Sequence, residues 1–176
     1  MNTPTPNDKQ HKNPTAWEAA TAIGDAGVQR ARRAIHRHFA DVAGVALLGT
    51  DPESQARGDL VVTQRDGRRW CCEVKTDDKA NATGNLAIEQ SRRMSVGAIG
   101  TGISTSQADV WAFVLDDRIL FADPNEIRAI IGKRRAAGTL QERWCGDKGR
   151  TCVALVRVSE VEALQGTFVV REGGTR

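Results

Sequence analysis

The run Gly58-Asp59-Leu60-Val61-Val62-Thr63-Gln64-Arg65-Asp66-Gly67-Arg68-Arg69-Trp70-Cys71-Cys72-Glu73-Val74-Lys75 decides how the chain is read. Asp59 to Gln64 and Arg69 to Lys75 have strand character, and Asp66-Gly67 between them is a strong hairpin signal. Side chains alternate along a strand with period two, so Glu73 and Lys75 share one face while Val74 points into a core. The hairpin brings Asp59, at the start of the partner strand, beside Glu73 at the sheet edge. Two acids and one lysine then converge on one spot.

Such a cluster suits phosphodiester chemistry. Two carboxylates are hard oxygen ligands of the kind Mg²⁺ takes while keeping several waters. A bound metal lowers the pKa of its water and neutralises charge on an attacked phosphate. A nearby lysine can orient the attacking water, help deprotonate it, or stabilise the transition state. The bland rival makes Asp59 a strand-start cap and Glu73 with Lys75 a same-face ion pair, a contact that contributes ~0–1 kcal/mol when exposed.

Working outward, a helix is expected from Thr15 to Phe39, with Thr15 and Glu18 in capping-box positions and Trp17 as a packing point. Gly24 and Gly27 within it mark either a break or a close approach of another backbone. Val42 to Leu48 reads as a strand or a buried connection, and Thr50 to Gly58 and Asp77 to Gly84 as polar loops. Asn85 to Glu89 reads as a short strand, and Ser91 to Gly102 as glycine-rich and irregular. Val110 to Leu115 and Arg118 to Ala122 form a second hairpin, and Asp123-Pro124 opens a helix that ends at Gly138. A strand over Val153 to Val158 and a helix over Ser159 to Leu164 complete the order. The fold class is α/β (α+β), with a central mixed sheet flanked by helices. Residues 1–14 are expected to be a flexible polar tail, 15–170 a single domain, and 171–176 a frayed C-terminus.

The Asp, hairpin and Glu-x-Lys pattern resembles the PD-(D/E)XK, or restriction-endonuclease-like, nuclease superfamily. The residue before the acid is Gly58 where proline is common. The resemblance covers the order of elements from about residue 15 to 158. It implies that Asp59 and Glu73 bind the metal and that Lys75 positions the water. It also implies that an acid on the leading helix joins the site. Glu18 and Asp25 both match, and they lie seven apart on one helix face. The stretches 83–89, 102–105 and 108–111 are similar to small phage- and plasmid-type members, some of which resolve junctions. By that similarity Glu89 and Gln90 are second-rank site candidates, with Lys79, Arg92 and Arg93 as DNA contacts, while Asp109 reads as a cap or buttress. The implied activity is Mg²⁺-dependent DNA hydrolysis, with Mn²⁺ as a substitute, leaving a 5′-phosphate. A homodimer acting on branched DNA is expected, with a restriction-type endonuclease or a non-catalytic DNA-binding module as alternatives.

The remaining composition narrows the field. The chain has 176 residues, of which 40% are hydrophobic and 27% charged, too apolar for a wholly disordered chain. No apolar run reaches membrane-spanning length, and no secretory h-region opens the chain, so a cytoplasmic protein is expected. A net charge of +3 permits a nucleic-acid partner without requiring one. The basic runs Arg30–Arg37 and Lys133–Arg135 have a sufficient explanation as solvated helix faces or a favoured helix C-terminus. Cys71, Cys72, Cys145 and Cys152 are expected as reduced thiols, with a zinc site the minor alternative. No GxxxxGK[ST] loop is present, so ATP is not expected.

Overall fold

The computed structural model describes residues 15–172. The expected N-terminal tail, the last four residues of the expected frayed end, and the side chain of Trp17 lie outside them. The described chain is mixed α/β. It runs α1 (Ala16–His38), β1 (Val42–Leu47), α2 (Pro52–Arg57), β2 (Leu60–Gln64), β3 (Arg69–Thr76), α3 (Ala80–Thr83), β4 (Asn85–Met94) and β5 (Gly97–Gly100). A 3₁₀ turn at Gly102–Ser104 leads to β6 (Val110–Val114), β7 (Arg118–Ala122), α4 (Pro124–Ala136), β8 (Gln141–Cys145), β9 (Thr151–Arg157), α5 (Val158–Glu162) and β10 (Phe168–Arg171).

The strands form two sheets rather than one. The first has the order β1-β2-β3-β6-β7-β10 and is mixed, because β3 and β6 run parallel while all its other neighbours are antiparallel. The second is antiparallel, in the order β5-β4-β9-β8. The second sheet is the main departure from expectation. β4 continues to Met94, and the glycine-rich stretch turns back on it as β5. Two segments expected as loops also contain short helices. Asp51 caps Ser54 N and Pro52 opens α2, the same signature that marks α4, compressed into one and a half turns. The last helix starts at Val158, one residue before the expected serine cap.

Strand alternation divides the interior. Ala31, Ala34 and Ile35 of α1 pack on Leu60, Val62, Cys72, Val74, Ala112 and Val114, one face of the mixed sheet. The opposite face gives Trp111, Phe113 and Leu120 to a second core shared with Leu86, Ile88, Ala154, Val156 and the α4 residues Ile127 and Ile131. The helix α1 is unbroken at its glycines. Gly27 permits a close approach to β3, since a Cβ there would lie 1.9 Å from Thr76 Oγ1.

Gly58 sets the entry to β2. Its φ of +117° is a region that side chains rarely adopt, and a Cβ would meet the Cys72 carbonyl oxygen at 2.7 Å. Proline, with φ fixed near −65°, cannot stand there. We expect Gly58→Ala to lower the unfolding free energy by about 2–4 kcal/mol, combining backbone strain with a clash against main chain. Urea denaturation of the full chain measures it, and an unchanged midpoint would refute it.

Candidate active site

The β2–β3 ladder pairs Leu60 with Cys72, which leaves Asp59 opposite Glu73 just beyond its end. Asp59 N donates to the Cys72 carbonyl at 2.9 Å, and Asp59 Oδ2 accepts from Val74 N at 2.7 Å. The carboxylate thus takes the place of the main-chain acceptor that a longer strand would supply. This fixes its position relative to Glu73 and Lys75.

Glu73 and Lys75 form an ion pair, with side chains 16% and 39% exposed. Parallel pairing sets Glu73 beside Trp111 and Lys75 beside Phe113. The Lys75 ammonium lies 5.5 Å from the Trp111 ring centroid, within cation–π reach. Trp111 is itself held by a bond from Nε1 to Ser106 Oγ at 3.0 Å. Its place under Lys75 follows from the parallel β3–β6 pairing, which no local signal reveals.

Glu89, a second-rank expectation, belongs to the same cluster electrostatically. Burial pushes the Glu73 carboxyl up, Lys75 pulls against it, and the Asp59 and Glu89 charges push it further. Burial works against the Lys75 ammonium, but Glu73, Asp59 and Glu89 together outweigh it and hold the lysine above its ordinary range. Lys75 is therefore a cation near neutral pH. It can donate hydrogen bonds and orient a water or a phosphate, and it is a poor base for deprotonating water. Glu89 accepts from Thr101 Oγ1 at 2.7 Å. Gly102, at φ +54°, lets the Thr101 turn close on it, since a Cβ would lie 2.5 Å from the Glu89 carbonyl.

The leading-helix acids are not brought to this cluster. α1 faces the end of β3 with Ala20, Ile23 and Gly24. Glu18 and Asp25 lie on the far side of the helix by its 100° rotation per residue, and both are exposed. Glu18 is engaged by Thr15 N at 2.7 Å and Thr15 Oγ1 at 2.9 Å, which hold its carboxyl below the usual range. Its role here is the capping box. Gln90 is 8% exposed and points into a network, donating to Glu142 at 2.9 Å and accepting from Arg135 at 2.5 Å. Asp109 buttresses β3 by accepting from Cys71 N at 2.7 Å. Lys79, Arg92 and Arg93 are exposed.

The other cation runs serve the frame. Arg30 pairs with Glu172 and donates to the Leu115 and Asp116 carbonyls. Arg134 pairs with Glu160 at 3.2 Å and Arg135 with Glu142 at 2.7 Å. The cysteines are all free thiols, with Cys71 and Cys72 in one sheet and Cys145 and Cys152 in the other.

Among the described residues no group of three or more His, Cys, Asp and Glu is gathered in metal-ligating geometry. The donor chemistry nevertheless fits a hard divalent cation. Asp59, Glu73 and Glu89 offer carboxylate oxygens, the donor type such a cation takes, and Lys75 carries one opposing charge. No helix among the described residues is long and apolar enough to cross a membrane. Comparisons of the chain with family models, curated proteins and solved structures gave no match.

The pair has a pH signature. A carboxyl raised in the folded state binds protons there that the unfolded chain has released, so stability falls as pH rises through that window. In wild type Lys75 limits this loss. Lys75→Met is expected to steepen the fall in stability as pH rises above the ordinary carboxylate range, because charged Glu73 is left without its partner. Adding Glu73→Gln is expected to flatten it. Denaturant midpoints across pH test this, and equal slopes in all three proteins would contradict the pairing.

Proposed function

We propose that the chain is a metal-dependent DNA endonuclease with a restriction-endonuclease-like fold, acting as a homodimer on branched DNA. The observation that carries the reading is the convergence of Asp59, Glu73, Lys75 and Glu89 at the open end of the β2–β3 hairpin, with Glu73 and Lys75 paired and mostly buried. An ordinary surface ion pair would leave its carboxylate solvated and unperturbed. Here a second and a third acid press on Glu73 from other elements, an arrangement that costs stability unless a cation is to be held.

Asp59 and Glu73 would hold Mg²⁺ or Mn²⁺, with Glu89 beside them. When bound, that ion supplies charge neutralisation at the phosphate and acidifies a coordinated water. The chain's own residues do the rest. Asp59 is fixed by the Val74 amide, so its free oxygen has a defined direction. Lys75 stays protonated and directs N–H bonds toward an attacking water or a phosphate oxygen, stabilising charge that grows in the transition state. Trp111 beneath the lysine limits its wandering.

The test is cleavage of supercoiled plasmid, linear duplex, single strand and four-way junction with Mg²⁺ or Mn²⁺ beside EDTA. Wild type is expected to cut only with metal. Lys75→Ala and Asp59→Asn are expected to lose at least about a hundredfold in rate, the size typical of removing one transition-state donor. Preference for the junction over linear duplex supports the branched-DNA reading. DNA binding without metal-dependent cutting would overturn the nuclease and leave a binding module.

A further inference from the structure

Sheet register suggests where the substrate backbone runs beyond the cluster. A bulge interrupts β4 between Glu89, opposite Val153, and Ser91, opposite Cys152. Val153 and Cys152 point to opposite faces of β9, so the extra residue Gln90 reverses the alternation of β4. Past the bulge Arg92, opposite Thr151, returns to the Glu89 face, and Arg93 points to the other. Arg143, opposite Val153 on the other side, lies in the same cross-strand row as Glu89. The same face carries a cleft of about 250 Å³ lined by Asp77, Lys79, Ala87, Gln141 and Arg143.

The charges on this face are free to bind. Lys79, Arg92 and Arg143 form no ion pair among the described residues. The cleft's acid, Asp77, is occupied by main chain, accepting from Lys79 N at 3.1 Å and Ala87 N at 3.0 Å. Arg93, by contrast, lies 3.9 Å from the Trp144 ring centroid. Val153 and Thr151, the partners of Glu89 and Arg92, are two residues apart on β9 and span roughly 7 Å, so Arg92 sits about two nucleotide rises from Glu89.

We propose that Lys79, Arg92 and Arg143 form a track for the DNA sugar-phosphate backbone that leads into the Asp59–Glu73–Lys75 cluster, the Lys79–Arg143 cleft receiving a phosphate beside the scissile one. The proposal rests on the nuclease reading and adds the path of the strand to it. Arg143 is assigned a role by the row it shares with Glu89, and Arg93 is removed from the DNA face.

The test is binding of a fluorescently labelled DNA duplex to the full chain in EDTA, followed by anisotropy across a salt series. Arg143→Ala, Lys79→Ala and Arg92→Ala are each expected to weaken binding and to lower the slope of log affinity against log salt by about 0.9. Arg93→Ala is expected to keep the wild-type slope. Arg143→Ala should also raise the DNA concentration needed for half-maximal cleavage. Equal losses for Arg92→Ala and Arg93→Ala, or an unchanged slope for Arg143→Ala, overturn the track even if Lys75-dependent cleavage stands. A changed sedimentation coefficient with unchanged DNA affinity makes the face a self-association surface, and also overturns it. Neither binding nor cutting by wild type removes the track and the nuclease reading together.

Discussion

The structure around the candidate site depends on one hydrogen bond, from the Val74 amide to Asp59 Oδ2. β2 begins at Leu60, opposite Cys72, and β3 runs on past that pair to Thr76. Without an acceptor at residue 59 the Val74 N–H would lose its partner at the ladder's end, where an unpaired buried donor costs about 1–3 kcal/mol. The side chain that satisfies this amide is also the acid that faces Glu73. Gly58, whose φ of +117° turns the chain into β2, makes the geometry reachable. One residue is thus a main-chain cap and a candidate ligand, and the rival structural reading of Asp59 is contained within the functional one.

Electrostatic consequences follow from packing. Glu73 and Lys75 face the side of the mixed sheet that is shared with the second sheet, while α1 covers the other. The sheet side is where Trp111 supports the lysine and where β4 brings Glu89 within range. The third acid therefore comes from the second sheet and not from the leading helix. The Arg30–Arg37 run belongs to the α1 side, with Arg30 spent on Glu172 and main-chain carbonyls.

Features written in short-range chemistry were legible in the sequence. Asp66-Gly67 sets the hairpin, Thr15 and Glu18 the capping box, and Asp123-Pro124 the start of α4. Alternation alone put Glu73 and Lys75 together, and the structure pairs them. What escaped was set by long-range pairing. The run after Glu89 looks irregular because its glycines lower strand propensity, yet pairing with β9 as far as Arg92 and with β5 as far as Met94 holds it extended. The parallel β3–β6 contact that puts Trp111 beneath Lys75 has no sequence marker at all. Glu18 and Asp25 do share a helix face, as their spacing requires, but spacing does not say which way the face turns.

Mn²⁺ titration followed by electron paramagnetic resonance tests whether the cluster holds a cation. Saturable Mn²⁺ binding by wild type is expected, competed by Mg²⁺ and weakened by at least about tenfold in folded Asp59→Asn and Glu73→Gln, the loss typical of removing a ligand or its support. Equal binding by wild type and both variants, or none by wild type at millimolar metal, would contradict it.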